Sequence, residues 1–279
     1  MPELPEVEAI ARTLRPMVRG QRIQCVQVLH AIATRPQAPV ELVRLSQGRR
    51  VREVWRKGKY LFLELNRGLM EMHFRFDGQL MWFSSAKELL ERANCGSGGV
   101  HVDVALEFGK GVLGFADGRH FGRVHAWESV ETCVPLERLG VDALSPEFTV
   151  DFLRTKLQTS RRPVKEFLME QARVAGMGNI YSGEALWHAR LDPRRAAHSL
   201  SGRESARLHK AIVSVLRRAL ECCLDPAPDF RNPEWWFQGL DKIVRTYQRE
   251  GLPCKRCGRE IKRVEQGGRS TYFCVHCQK

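Results

Sequence analysis

Several absences narrow the possibilities before any motif is considered. There is no apolar run of about eighteen residues and no signal-peptide pattern, so neither a membrane span nor secretion is expected. Acid is in short supply: 32 Asp and Glu stand against 45 Lys and Arg, a formal net charge of +13. The basic excess is spread along the chain, so no disordered basic tail explains it. Such a surface suits a phosphate-rich partner, bound with counterion release, as well as plain solubility. A disulfide framework is also missing. Cys25, Cys95, Cys133, Cys222 and Cys223 are scattered and odd in number, which fits a reducing cytosol. The expectation is a soluble cytoplasmic protein whose 279 residues form about two domains, each with its own core.

The other four cysteines are ordered. Cys254-x-x-Cys257 is followed by sixteen residues and then Cys274-x-x-Cys277. Four thiolates at that spacing suit one tetrahedral zinc ion, each pair on a tight knuckle. No coordination position is left for water, so the zinc is structural and contributes roughly 10–16 kcal/mol to ordering a finger. Between the pairs, Gly267-Gly268-Arg269-Ser270-Thr271-Tyr272-Phe273 reads as a hairpin with Arg269 at its tip.

The first residues are Met1-Pro2-Glu3-Leu4-Pro5-Glu6-Val7-Glu8. Removal of Met1, which a small second residue such as proline permits, would start the chain at a secondary amine beside a carboxylate. An α-amino group titrates near about 7.7–8.0, so part of it is neutral and nucleophilic near neutral pH. With an aldehydic carbon, proline forms an iminium that has no N–H to lose and acts as an electron sink. The same residues also suit an ordinary helix start, with proline and acids in the first turn.

Apolar residues at Val7, Ile10, Ala11, Leu14, Met17 and Val18 predict an amphipathic helix ended by Gly20, fit to pin the N-terminus. From Gln21 to about Glu128 the period becomes two. Strand candidates are Ile23–Leu29, Val51–Trp55, Tyr60–Leu65, Leu69–Phe74, Gln79–Phe83 and Val100–Phe108, the last turning through Gly109-Lys110-Gly111 into Val112–Ala116. Many short strands with close turns imply an antiparallel sandwich. Asn94–Gly99 reads as a connector, and Pro135–Phe148 as a linker. Helical pattern follows: Val150–Leu157, then Pro163 opening Val164 to about Val174, and Ile180 to about Ala189 after Gly176-Met177-Gly178-Asn179. That double-glycine break lets backbone amides approach a phosphate, or is simply a turn with Asn179 as N-cap. Ser201-Gly202-Arg203-Glu204 is a capping box opening a scaffold helix.

The start Met1–Glu8, the segment Ala175-Gly176-Met177-Gly178-Asn179-Ile180-Tyr181 and the four-cysteine finger together resemble the formamidopyrimidine-DNA glycosylase and endonuclease VIII family. Leu4 favours the first branch, since endonuclease VIII tends to carry glycine there. The resemblance spans essentially the whole chain and implies roles for particular residues. Pro2 would be the nucleophile and Glu3 the proton shuttle. Lys59, before Tyr60-Leu61, would hold phosphate and sugar. His73 would meet a phosphate, and Phe76 would fill the gap left by the extruded nucleotide, with an ordinary core phenylalanine as the alternative. Arg119 would pair with the orphaned base and Phe121 would wedge into the stack, offsetting the few kcal/mol that flipping costs. Asn179 would bind the DNA backbone, with Arg161 and Lys165 facing DNA. Arg269 would act on the phosphates around the lesion and assist the second elimination.

The chain departs from the family in places. Gly118 and His120 stand where proline and a second arginine are usual, and Gly99 where a DNA-contacting histidine is common, unless His101 substitutes for it. Around residues 221–239 the purine-specific branch is glycine-rich, whereas this chain carries Pro226, Pro228, Pro233 and Trp235-Trp236-Phe237. That aromatic cluster suits stacking on a flipped base or packing of the last domain.

The expected fold is therefore α+β: an N-terminal antiparallel β-sandwich with an N-terminal helix (residues 1–133), a linker (134–148), a helix-two-turns-helix domain (149–248) and a four-cysteine zinc finger (249–279). The expected activity is that of a bifunctional DNA glycosylase and AP lyase of base excision repair. It would act as a monomer on double-stranded DNA containing 8-oxoguanine- or formamidopyrimidine-type bases or abasic sites, through a proline Schiff base and β,δ-elimination. The cofactor is one structural Zn2+. The same chemistry on oxidised pyrimidines, a non-catalytic binder of damaged DNA and a generic zinc-ribbon protein are the alternatives.

Overall fold

The apolar stripe after Pro5 becomes helix α1 (Leu4–Val18) in this computed structural model, which describes residues 2–93, 100–232 and 239–279. The Asn94–Gly99 connector, with Gly99, and the Trp235-Trp236-Phe237 cluster lie outside the described residues. The chain divides into two units. One holds Pro2, Glu6–Glu137 and the segment from Pro226, and the other holds Glu3–Pro5, Arg138–Asp225 and the C-terminal residues to Lys279.

In the first unit α1 is followed by β1 (Cys25–Val28), α2 (Pro39–Ser46), β2 (Val51–Lys57), β3 (Tyr60–Leu65), β4 (Leu69–His73), β5 (Gln79–Phe83), α3 (Ala86–Ala93), β6 (Val102–Phe108), β7 (Gly111–Ala116) and β8 (Arg123–Trp127). The strands form two antiparallel four-stranded sheets, ordered β1-β6-β7-β5 and β2-β3-β4-β8. Leu61, Leu63, Met70, Met72 and Val124 of one sheet pack with Val104, Leu106, Leu113 and Phe115 of the other, and with Val7, Ile10 and Leu14 of α1. This is the expected sandwich. Arg15 clamps α1 to its sheet by donating to the Val54 carbonyl, and Glu8 pairs with Arg56 at 2.8 Å.

The alternation expected in β6 breaks at its start. Val102 pairs with Ala116 but Val104 pairs with Phe115, so Asp103 is the extra residue of a β-bulge. The bulge shifts the phase: Val102 joins a side cluster with Leu89 of α3, while Val104, Leu106 and Phe108 face the main core. Both faces of the strand are thus covered. Phe230 fills the main core, and its carbonyl accepts from Trp82 in β5 at 2.7 Å, covering that sheet edge.

Through α4 (Val134–Arg138) the chain enters the second unit: β9 (Val141–Asp142), α5 (Val150–Gln158), α6 (Val164–Met169), β10 (Val174–Ala175), α7 (Asn179–Ala189), α8 (Gly202–Cys223), α9 (Leu240–Ile243) and the hairpin β11 (Lys262–Gln266) and β12 (Arg269–Phe273). Residues 134–148, read as a linker, carry α4 and β9, and Ala143 and Phe148 are buried in the helical core. The helix opened by Pro163 stops at Met169 instead of running to Val174, because Val174 and Ala175 pair in parallel with β9. α7 begins at Asn179 with Gly178 as its cap, so Asn179 is not the N-cap. The capping box of α8 forms as expected, with Ser201 accepting from the Glu204 amide and Glu204 returning to Ser201. Among the described residues no helix is long and apolar enough to cross a membrane.

Candidate active site

Pro2 and Glu3 are both buried, which an unremarkable polar N-terminus would not be. Glu3 Oε1 accepts from the amide of Ile180, the second residue of α7, at 3.0 Å. A carboxylate there meets the positive end of the helix dipole, which fixes its position. Leu4 holds the other side of the acid. Its amide donates to the Gly176 carbonyl at 3.2 Å, and its side chain lies in the helical core. Gly176 has φ +102, and a Cβ there would collide with Leu4. The double-glycine break therefore serves the N-terminus. The Gly176 amide is not offered to a phosphate, as expected from sequence, because Gln171 Oε1 accepts from it at 2.9 Å.

Lys165 requires a correction. Its position suggested a cation facing DNA, but it is 1% exposed. Its ammonium donates to Asn179 Oδ1 at 2.6 Å, to Thr271 Oγ1 at 2.7 Å and to the Ser270 carbonyl at 3.1 Å. It ties the start of α7 to β12, one residue from Arg269. Burial, which outweighs the attraction of Glu3 and adds to the repulsion of Arg269, lowers its pKa to about 8. Asn179 is half-buried, its carbonyl oxygen is occupied by Lys165, and its amide donors remain for a ligand. Arg161 and Arg269 are exposed. Glu184, which the sequence did not single out, is fully buried and accepts from the amides of Arg245, Thr246 and Tyr247, anchoring the segment that leads to the finger.

In the first unit Lys59 lies in the two-residue turn between β2 and β3, where Lys57 pairs with Tyr60, and it is buried. His73 ends β4 opposite Tyr60, with ring centroids 4.4 Å apart. Its Nδ1 accepts from the Arg75 amide at 3.1 Å, which leaves the proton of the neutral ring on Nε2. Burial, helped by the Arg75 and Lys59 cations, pushes its pKa down to about 3. His73 is therefore a neutral donor at physiological pH.

Phe76 is not a core residue: it is 40% exposed, and Phe121 is 49% exposed. Their rings meet edge to face at 5.6 Å, and the Arg119 guanidinium lies over both, paired with Asp77. The residues expected to enter the gap in the DNA are thus one cluster on two loops. Asp117 shapes the second loop, its Oδ1 accepting from the Arg119 amide at 2.9 Å and its Oδ2 from the Gly122 amide at 2.6 Å. Arg123 Nη1 lies within 3.0 Å of the carbonyls of His120, Phe121 and Gly122. The sequence reading assigns no role to Asp77, Asp117 or Arg123.

The sulfurs of Cys254, Cys257, Cys274 and Cys277 all lie within 4.8 Å of one another. Each pair sits on the same turn: Gly258 N donates to Cys254 O, and Gln278 N to Cys274 O. Four converging thiols with no other ligand class fit one tetrahedral structural zinc ion. The Trp187 indole N–H of α7 points at Cys254 Sγ, 3.5 Å away, with Arg256 over its ring at 3.9 Å. β11 and β12 pair around Gly267-Gly268, which places Arg269 just past the turn.

Comparison with known proteins agrees along the whole chain. Family models match at residues 1–124 (formamidopyrimidine-DNA glycosylase N-terminal domain), 139–225 (formamidopyrimidine-DNA glycosylase H2TH domain) and 251–279 (zinc finger found in FPG and IleRS). The formamidopyrimidine-DNA glycosylase of Bacillus licheniformis is 36% identical over 283 residues, covering 100% of both chains. The crystal structure of the MutM (Fpg) protein from Thermus thermophilus superposes with a TM-score of 0.83 at 35% identity, over 99% of this chain and 98% of that one. The Lactococcus lactis enzyme, non-covalently bound to DNA containing an AP site, gives 0.85 at 26% identity over 100% of both chains. With its buried Pro2-Glu3 start, its glycine-seated helix turn and its four-cysteine finger, the chain belongs to the formamidopyrimidine-DNA glycosylase family.

Proposed function

We propose that this chain, a base-excision-repair glycosylase and AP lyase by its family, excises formamidopyrimidine- and 8-oxoguanine-type bases from double-stranded DNA with Pro2 as nucleophile. Once Met1 is removed, the Pro2 nitrogen attacks the anomeric carbon of the damaged nucleotide. Glu3 gives a proton to the sugar ring oxygen as the ring opens, and the base leaves with the electrons of the glycosidic bond. The resulting iminium acidifies the neighbouring carbon. Loss of that proton expels the 3′ phosphate, and a second elimination expels the 5′ phosphate. Water then releases the sugar remnant from Pro2.

The observation that carries this reading is the Glu3 carboxylate, fully buried and held by the first turn of α7. An acid so held is a positioned proton carrier, which surface acids at a free terminus are not. Lys59 would bind phosphate as a cation and His73 as a neutral Nε2–H donor. Asn179 and Arg269 would each add a phosphate contact. Their contribution is charge and orientation. The zinc supplies the fold of the finger and takes no part in the chemistry.

The test is borohydride trapping on duplexes carrying 8-oxoguanine, an oxidised pyrimidine or an abasic site, with mass spectrometry of the cross-linked peptide. An adduct on Pro2, strongest with 8-oxoguanine among the base lesions, supports the proposal. Preference for the pyrimidine would reassign the substrate. Tight binding without any adduct, in protein shown to lack Met1, would leave only a damaged-DNA binder.

A further inference from the structure

Between the two exposed residues Arg119 and Phe121 stands His120, and it turns the other way. Its backbone is left-handed, φ +55, a conformation that costs a residue with a Cβ about 1 kcal/mol or more unless something holds it. What holds it is Asp103: His120 Nδ1 lies 2.7 Å from Asp103 Oδ1. Asp103 is fully buried, and it is the bulged residue of β6. A bulge re-aims one side chain out of the strand's alternation, and here the re-aimed side chain is the carboxylate beneath the loop. Asp103 Oδ2 has no hydrogen-bond partner among the described residues. His120 is thus the acid's hydrogen-bonded neighbour, and without it a buried carboxylate would be stranded. The rings of His30 and His101 stand 5.1 and 6.3 Å from that of His120, and Asp117 is the other acid facing Asp103. Gly122 closes the loop where a Cβ would strike the Phe115 ring.

We propose that the His120–Asp103 pair is the positioning anchor of the Arg119–Phe121 loop, setting it for insertion into the gap left by the extruded nucleotide. The inference rests on the reading of Arg119 and Phe121 as the inserting residues. His120 is a positioning residue that touches neither the damaged sugar nor the base. It acts by drawing the loop's midpoint inward, so that its two neighbours are presented outward together.

The test uses the full-length zinc-loaded protein and a duplex carrying a tetrahydrofuran abasic analogue beside 2-aminopurine, whose fluorescence rises when the stack is opened. His120→Gly removes the ring while suiting the left-handed backbone, and His120→Asn restores a short donor that also tolerates it. His120→Gly should lose most of the fluorescence rise and on the order of tenfold in kcat/KM on an 8-oxoguanine duplex, with His120→Asn within about threefold of wild type. Free imidazole should restore part of the His120→Gly rise. Borohydride trapping on a single-stranded abasic oligonucleotide, which has no orphaned base, should be unchanged in both. A full rise in His120→Gly would overturn the proposal, as would His120→Asn failing equally while melting within about 4 °C of wild type. Phe121→Ala separates the two levels: if that variant keeps the full rise, the insertion reading itself is wrong, whatever His120 does.

Discussion

Replacing Lys165 by methionine decides between two physical roles for a lysine of the second unit. The change keeps the apolar stem and removes an ammonium that makes three hydrogen bonds, to Asn179, Thr271 and Ser270. Bonds from a charged donor contribute about 1.5–3 kcal/mol each, though not additively. Against them stands the cost of burying the charge: a pKa lowered from 10.5 to about 8 corresponds to about 3 kcal/mol at neutral pH. The net expectation is a stability loss of about 2–5 kcal/mol, with the Asn179 side chain set free to rotate. Since Lys165 is 1% exposed it neutralises no phosphate. Affinity for a tetrahydrofuran duplex should fall about tenfold with the slope of log K against log salt unchanged, whereas Arg161→Ala, if that exposed arginine meets a phosphate, should reduce the slope by about 0.9. Anisotropy titrations between about 50 and 200 mM salt measure both. The sign with pH is also fixed. The folded state disfavours the charged lysine, so its cost is complete below about pH 8 and is relieved as pH rises towards 10.5. Wild type should therefore gain on Lys165→Met over that window. A slope reduced by about one, with stability unmoved, would mean that Lys165 reaches the DNA and that the buried network does not persist in solution.

Three further outcomes can be checked directly. Gly176→Ala forces a Cβ against Leu4 at φ +102 and should cost about 2 kcal/mol or more in thermal unfolding, with a larger loss of borohydride-trapped adduct because Leu4 adjoins Glu3. Removing zinc with a chelator should abolish DNA binding while leaving the β-sandwich's circular dichroism intact, since β12 supplies Thr271 and Ser270 to the Asn179 network; unaltered affinity in metal-free protein would refute that link. His73, with its pKa depressed from 6.5 to about 3, stabilises the fold above pH 6.5 and loses that contribution as pH falls towards 3. Wild type should therefore lose stability faster than His73→Gln between those values, and a histidine resonance titrating near 6.5 at this position would contradict the assignment.

How much of this was legible in the sequence depends on how far apart the interacting residues lie. Tyr60–Leu65 and Gln79–Phe83 are strands with the bounds their short apolar runs predict, because each is a local pattern sealed by its own turns. β8 does not stand out in the sequence: in Arg123–Trp127 only Val124 and Ala126 face the core, too short an alternation. The four cysteines announced their site because the knuckle spacing is itself local. The burial of Lys165 is invisible in the sequence because its partners Ser270 and Thr271 lie more than a hundred residues on, and nothing in a helical pattern distinguishes a buried lysine from a solvated one. The β6 bulge was hidden for a related reason. A strict alternation from Val100 to Phe108 is what an unbroken strand would show, and only pairing with β7 reveals that Asp103 is the extra residue. That one-residue slip puts a carboxylate beneath the loop that carries Arg119 and Phe121. Local periodicity places the elements, and the side chains that tune the site are selected by contacts that periodicity does not encode.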